Sequence, residues 1–141
     1  MSAGVSGAIA EGDRLPVLSR RVSQAVINAY AEASGDFNPI HTDPDYASKG
    51  PFGRTIAHGM MTLAYASDLM SEWAGEAWLS DSAIDVAFLG PVFAGDDVTV
   101  TGVVREIVQE DAGPTTVCEL TCQVGDRTVM AGSARCRIGA S

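Results

Sequence analysis

The order of apolar and polar positions divides the chain into a short helical opening, a segment without period, a long apolar helix and a run of strands. Ser23 stands where an N-cap belongs, ahead of Val26, Ile27, Tyr30 and Ala31 at helical spacing. Gly35 follows as the stop. Before this helix, Gly12-Asp13 reads as a turn, and Leu15, Val17 and Val22 as a short extended stretch. Residues 35–55 then fit neither a helical nor a strand period; they hold Pro39, Pro44 and Pro51 with Gly35, Gly50 and Gly53. Irregular stretches of that length in a compact domain are usually functional or disordered. Phe37, Ile40, Tyr46 and Phe52 let this one pack, which favours function.

Residues 59–74 predict a second helix, apolar nearly all round through Met60, Met61, Leu63, Ala64, Tyr65, Ala66, Leu69, Met70 and Trp73. A helix of that kind is expected to be buried on most sides, and Gly75 ends it. Beyond it the period changes to two. Ile84, Val86 and Phe88 alternate, then Val98, Val100, Gly102 and Val104, then Cys118, Leu120, Cys122 and Val124, and finally Met130, Ala134, Cys136 and Ile138. Turns at Gly95-Asp96, residues 111–114 and Gly125-Asp126 predict a meander of about four antiparallel strands. The apolar helix needs cover on several sides, so the expected fold class is α+β, a strongly curved antiparallel β-sheet wrapped around a long central helix. Residues 1–10 read as a flexible N-terminal arm and 11–141 as one domain, a size that buries a real core without staples.

Composition narrows the class. Nine basic and eighteen acidic residues leave a net charge of −9. That argues against nucleic-acid binding, which needs a basic patch, and against adhesion to anionic membranes. Three cysteines, Cys118, Cys122 and Cys136, with no secretory signal ahead of them, predict buried reduced thiols rather than disulfides or a metal site. No apolar run approaches the roughly 20 residues that span a bilayer, so a cytoplasmic location is expected.

Chemistry concentrates around the segment without period. Both histidines of the chain, His41 and His58, lie in it or beside it, and Asp36 precedes His41. Pro39 stops the first helix from continuing, so a turn there can bring the Asp36 carboxylate and the His41 ring to one point. Such a pair suits general acid/base work. Taken alone it reads equally as a loop held by Asx-type hydrogen bonds with an exposed histidine. Gly59 opens the apolar helix, where free amides and the positive dipole end can hold a growing negative charge. The plainer reading is that Gly59 permits close packing and His58 is structural.

The run Tyr30-Ala-Glu-Ala-Ser34-Gly35-Asp36-Phe37-Asn38-Pro39-Ile40-His41, then Ile56-Ala57-His58-Gly59-Met60, then Phe88-Leu-Gly-Pro91-Val92 with Gly95-Asp96, resembles the MaoC-like, (R)-specific enoyl-CoA hydratases and 3-hydroxyacyl dehydratases of the hot-dog fold. The resemblance implies reversible hydration of a trans-2-enoyl-CoA, with water held between Asp36 and His41 and the thioester oxygen on the Gly59 amide. It implies that Asn38 supports the site geometry and that Ser67 lies near the acyl pocket; the central helix and the strand through Ile84 to Leu89 would line an acyl tunnel, with Met60, Met61 and Tyr65 as candidate substrate contacts, core packing being the plainer role for any one of the three. Lys49 and Arg54 flank the loop and are candidates for coenzyme A phosphates. No cofactor and no metal is expected, coenzyme A being the substrate's carrier. A homodimer is the simplest assembly, a heterodimer with a related chain the alternative. The rival readings are a dehydratase acting on acyl carrier protein, a thioesterase on the same fold, and a non-catalytic acyl-thioester-binding subunit.

Overall fold

The computed structural model of the chain describes residues 8–138. It opens with β1 (Leu18–Val22) and α1 (Gln24–Ser34), followed by two single-turn helices, α2 (Pro39–Thr42) and α3 (Pro44–Ser48). α4 (Gly59–Ala74) and α5 (Glu76–Ser80) come next, and β2 (Ser82–Phe88), β3 (Asp96–Glu110), β4 (Gly113–Val124) and β5 (Arg127–Cys136) complete the fold. The five strands form one antiparallel sheet in the order β1-β3-β4-β5-β2.

α1 begins and ends where its caps dictate. The Ser23 hydroxyl accepts the Val26 N–H, and Gly35 adopts φ 78°, donating its own N–H to the Ala31 carbonyl. Ile27 and Ala31 are wholly buried, while Val26 lies off the buried face at 38% exposure. The segment after it is not irregular throughout, as the periodicity had suggested. Pro39 and Pro44 each occupy the first helical position, where a missing N–H costs nothing. Asn38 and Asp43 cap the two turns, accepting from Ile40 N–H and from Asp45 and Tyr46 N–H. Proline therefore stops α1 and also starts the next turn.

The core lies between α4 and the concave face of the sheet. Met61, Ala66, Leu69, Met70 and Trp73 of α4 meet Val98, Val100 and Val104 of β3, Cys118, Leu120 and Cys122 of β4, and Met130, Ala134 and Cys136 of β5. A break in register between Val104 and Glu106 bends β3 and helps the long strands curl around the helix. This is the α+β, hot-dog arrangement of a curved sheet around a central helix. α4 is not covered all round, however: Met60, Ala64, Asp68 and Glu72 form an exposed stripe. Burial leaves the three cysteines as free thiols and pushes them up to about 12 for Cys118 and about 11 for Cys122 and Cys136.

The expected four-strand meander is also corrected. β2 does not join a four-strand meander; only β3, β4 and β5 follow one another, and β2 pairs with the far edge of β5 from Ser82↔Cys136 to Phe88↔Met130. The chain after β2 leaves the sheet because its backbone bonds go elsewhere. Val92 accepts the Ala57 N–H, and Phe93 bridges to Ile56. Of the expected arm, residues 1–7 lie outside the described residues, and Ile9 is buried in the core at 5% exposure. Among the described residues no helix is long and apolar enough to cross a membrane.

Candidate active site

Asp36 and His41 are brought together by the turn that separates them. Gly35 directs the chain out of α1 in its left-handed conformation, and Asp36 Oδ1 accepts the Asn38 N–H at 3.2 Å. Asn38 Oδ1 accepts the Ile40 N–H at 3.1 Å, which starts α2 and carries His41 on that single turn. The His41 side chain is 12% exposed and the Asp36 side chain 52%, so the pair opens to solvent on the carboxylate side.

Hydrogen bonding fixes the His41 tautomer. Its Nδ1 lies 2.8 Å from the Ile56 carbonyl oxygen, which can only accept, so Nδ1 carries the proton. In the neutral ring Nε2 is then a lone pair, and it faces Asp36 Oδ2 at 3.9 Å. Two acceptors thus look at each other across a gap too long for a direct bond. A water about 2.8 Å from each would form an angle of about 90° between them and could donate to both. Ile56 is itself secured, since its N–H donates to the Ile40 carbonyl at 3.2 Å. Gln24 braces the other side, donating to the His41 carbonyl at 2.8 Å while accepting the buried Thr55 hydroxyl at 2.6 Å.

His58 completes the cluster. It is 3% exposed, its ring stacks on His41 with centroids 3.9 Å apart, and its Nε2 lies 3.0 Å from the Asp36 carbonyl oxygen. Ligand-capable atoms of Asp36, His41 and His58 fall within 4.8 Å of one another. Both rings already commit one nitrogen to a carbonyl, and His58 Nδ1 is enclosed. Only the Asp36 carboxylate and His41 Nε2 stay open, one donor fewer than the three protein ligands usual at a catalytic zinc.

Gly59 is the first residue of α4 and is exposed, and among the described residues its amide has no hydrogen-bond partner. A Cβ at Gly59 would sit 3.3 Å from Phe88 Cε1, so the ring at the end of β2 closes one side of this helix start. Met60 beside it is 58% exposed. Ser67 is occupied otherwise: its hydroxyl accepts the Trp78 indole N–H at 2.9 Å and ties α5 to α4. It stands eight residues along the helix from Gly59, about 12 Å at 1.5 Å per residue. Asn38 acts as a cap, its side chain engaged with Ile40. A cavity of about 630 Å³ lies under the following segment, lined by Asn38, Ile40, Tyr46, Lys49, Phe52 and Arg54 among others, but by neither Asp36 nor His41. Arg54 stacks its guanidinium 4.0 Å over the Phe93 ring.

Sequence reasoning singled out Asp36, His41 and Gly59 and missed what holds them. Gln24 and Thr55 carried no signal of their own, because they act through partners 17 and 31 residues away in the chain; Phe88 stood in one of the resembling runs, but nothing local showed that its ring would lie over Gly59.

The MaoC like domain family matches residues 6–123. The 3-hydroxybutyryl-CoA dehydratase of Methylorubrum extorquens is 33% identical over 125 residues, covering 86% of this chain and 76% of that one. The (R)-specific enoyl-CoA hydratase of Aeromonas caviae is 40% identical over 85 residues, 58% of this chain and 61% of that one. The solved structure of the (R)-hydratase from A. caviae involved in PHA biosynthesis superposes with a TM-score of 0.79 at 28% identity, covering 94% of this chain and 99% of that one. With the hot-dog architecture and a family match over most of its length, the chain belongs to the MaoC-like family of hydratases and dehydratases.

Proposed function

We propose that the chain is a hydro-lyase that reversibly hydrates a trans-2-enoyl-CoA to the (R)-3-hydroxyacyl-CoA. The observation that carries this reading is the 3.9 Å gap between two facing acceptors, Asp36 Oδ2 and His41 Nε2, shaped for one water. In hydration, the pair takes a proton from that water as its oxygen bonds to C3. The C2=C3 electrons move toward the thioester carbonyl, whose oxygen is received by the Gly59 amide at the positive end of α4. A proton from the pair then goes to C2, and the carbonyl is restored. Atoms and charge balance without a change of oxidation state, so the reaction as written needs no redox cofactor.

The names of the relatives support coenzyme A as the carrier and the (R) configuration for the product. Lys49 and Arg54 on the cavity wall offer cations for carrier phosphates on an otherwise acidic chain. Asn38 serves the site by holding α2, and Met60 borders it from the exposed stripe. The free edge of β2, with Phe88 53% and Leu89 58% exposed, supports a homodimer joined at that edge.

The test is conversion of a short trans-2-enoyl-CoA, followed by loss of the conjugated thioester absorbance, with the product resolved on a chiral phase. Hydration to the (R) alcohol is expected. A folded protein that leaves enoyl-CoA untouched but dehydrates a 3-hydroxyacyl thioester of acyl carrier protein would move the reading to that carrier.

A further inference from the structure

His58 is an expensive residue where it stands. It is 3% exposed, and its Nδ1 is enclosed without a hydrogen-bond partner among the described residues. A phenyl ring would fill similar space without burying an unpaired acceptor, and such an acceptor costs free energy. The imidazole must therefore contribute something a hydrocarbon ring does not. Its Nε2 lies 3.0 Å from the Asp36 carbonyl oxygen, which can only accept, so Nε2 carries the proton. That bond spans 22 residues and fixes the main chain from which the Asp36 carboxylate projects. The same ring lies against His41, with centroids 3.9 Å apart and planes inclined by 26°, and this contact sets the direction of His41 Nε2. Tyr30 supports it from another side, with centroids 4.8 Å apart at 53°. His58 is also the N-cap residue of α4, and its carbonyl accepts the Met61 N–H at 3.0 Å. The next amide is that of Gly59.

We infer that His58 is a positioning residue: one ring, held in its Nε2–H tautomer, sets the gap between Asp36 and His41 and ties that gap to the Gly59 amide. This rests on the reading of Asp36 and His41 as the water-holding pair. His58 touches neither water nor substrate in this scheme. It keeps the three working groups, drawn from the end of α1, from α2 and from the start of α4, in one frame. Misplacement of reacting groups by about 1 Å can lower a rate by roughly 10²-fold, so the frame has kinetic weight.

Two substitutions separate its functions. His58→Phe keeps a ring to stack on His41 and removes the donor. His58→Gln keeps a donor near the Nε2 position and removes the ring. For His58→Phe, kcat for enoyl-CoA hydration is expected to fall roughly 10- to 100-fold, with KM within about threefold and altered limbs in the pH profile of kcat/KM. His58→Gln is expected to recover a substantial part of the lost kcat. Independently of activity, long-range proton–nitrogen correlation spectra of imidazole-labelled wild type should show one histidine in the Nε2–H tautomer that disappears in His58→Gln. Folded His58→Phe with wild-type kcat and pH profile would overturn the inference, as would an Nδ1–H tautomer for His58. Equal losses in both variants, in step with a lowered melting temperature, would assign His58 to the fold alone and overturn it too. Asp36→Asn and His41→Ala measured alongside tell the two readings apart. If they stay active, the reading of the pair has failed; if they are inactive while His58→Phe is normal, only this inference has.

Discussion

Gly132→Ala offers a sharp test of how the sheet closes. Gly132 sits in β5 opposite Val86 of the edge strand β2. A Cβ there would fall inside the Asp85 carbonyl oxygen, 2.6 Å from Val86 Cα and 2.9 Å from the Asp85 carbonyl carbon. Carbon atoms in contact prefer about 3.5–4.0 Å, so β2 must retreat by about 1 Å. A ladder bond near 2.9 Å stretched by that much is lost. Two such bonds at about 1 kcal/mol each, with the strain of overpacking, come to about 2–3 kcal/mol. At about 2.1 cal/mol/K per residue for 141 residues, this lowers Tm by about 7–10 °C. Gly102→Ala is the control. Its Cβ meets side chains rather than backbone, the Cδ2 atoms of Leu120 and Leu15 at 3.0 Å and Leu15 Cβ at 3.5 Å, so a shift of a few tenths of an ångström at two leucine ends suffices, and Ala favours a strand over Gly. Its Tm should stay within about 3 °C. Thermal melts by circular dichroism compare the two. Because β2 ends in Phe88 over Gly59, Gly132→Ala should also lose activity at temperatures where it remains folded. A Gly132→Ala protein melting within about 3 °C of wild type would refute the close β2–β5 approach and the reasoning built on it.

Gly59→Ala should fold normally, because the added methyl meets only the half-exposed Phe88 ring, at 3.3 Å, yet obstruct approach to the α4 amide and lower kcat roughly 10²-fold. Unimpaired hydration would remove that amide from the mechanism. Ser67→Ala should cost about 1–2 kcal/mol by leaving the buried Trp78 indole unpaired without changing the preference for acyl length; a shifted length profile would show that Ser67 contacts substrate. With thiols raised to about 11 and 12, none of the cysteines should react with a chromogenic disulfide at neutral pH until denaturant is added. The unfolded thiols lose their protons first, so stability contributed by the folded thiols is full below pH about 9 and declines as pH rises from there through 11. A fast-reacting thiol in native protein, or stability rising with pH in that range, contradicts the burial.

What could be read from the residues was local. Ser23 and Gly35 announced both ends of α1 because a hydroxyl cap and a left-handed glycine act within a few residues. The alternation of β3, β4 and β5 and the apolar run of α4 announced which faces meet. Asp36 and His41 were visible because one short turn joins them. α2 and α3 were not, since helices of four and five residues are too short to show a period, and only Pro after Asn or Asp marks them. The place of β2 was hidden because alternation identifies a strand but not its neighbour. The bond from the Trp78 indole to Ser67 was hidden because α5, at five residues, is too short to show a period. Met60 looked buried in the sequence because an isolated apolar run does not say which stripe one sheet leaves uncovered.

The central claim is that Asp36 and His41 act as one unit on one water. A double-mutant cycle in hydration of a short trans-2-enoyl-CoA tests it most directly, comparing wild type, Asp36→Asn, His41→Ala and the double variant, all confirmed folded. Each single change should lower kcat roughly 10²–10⁴-fold, and the double variant should be little worse than the poorer single one, as for residues that work together. Losses that multiply in the double variant, or a single variant that keeps wild-type kcat, would contradict the account.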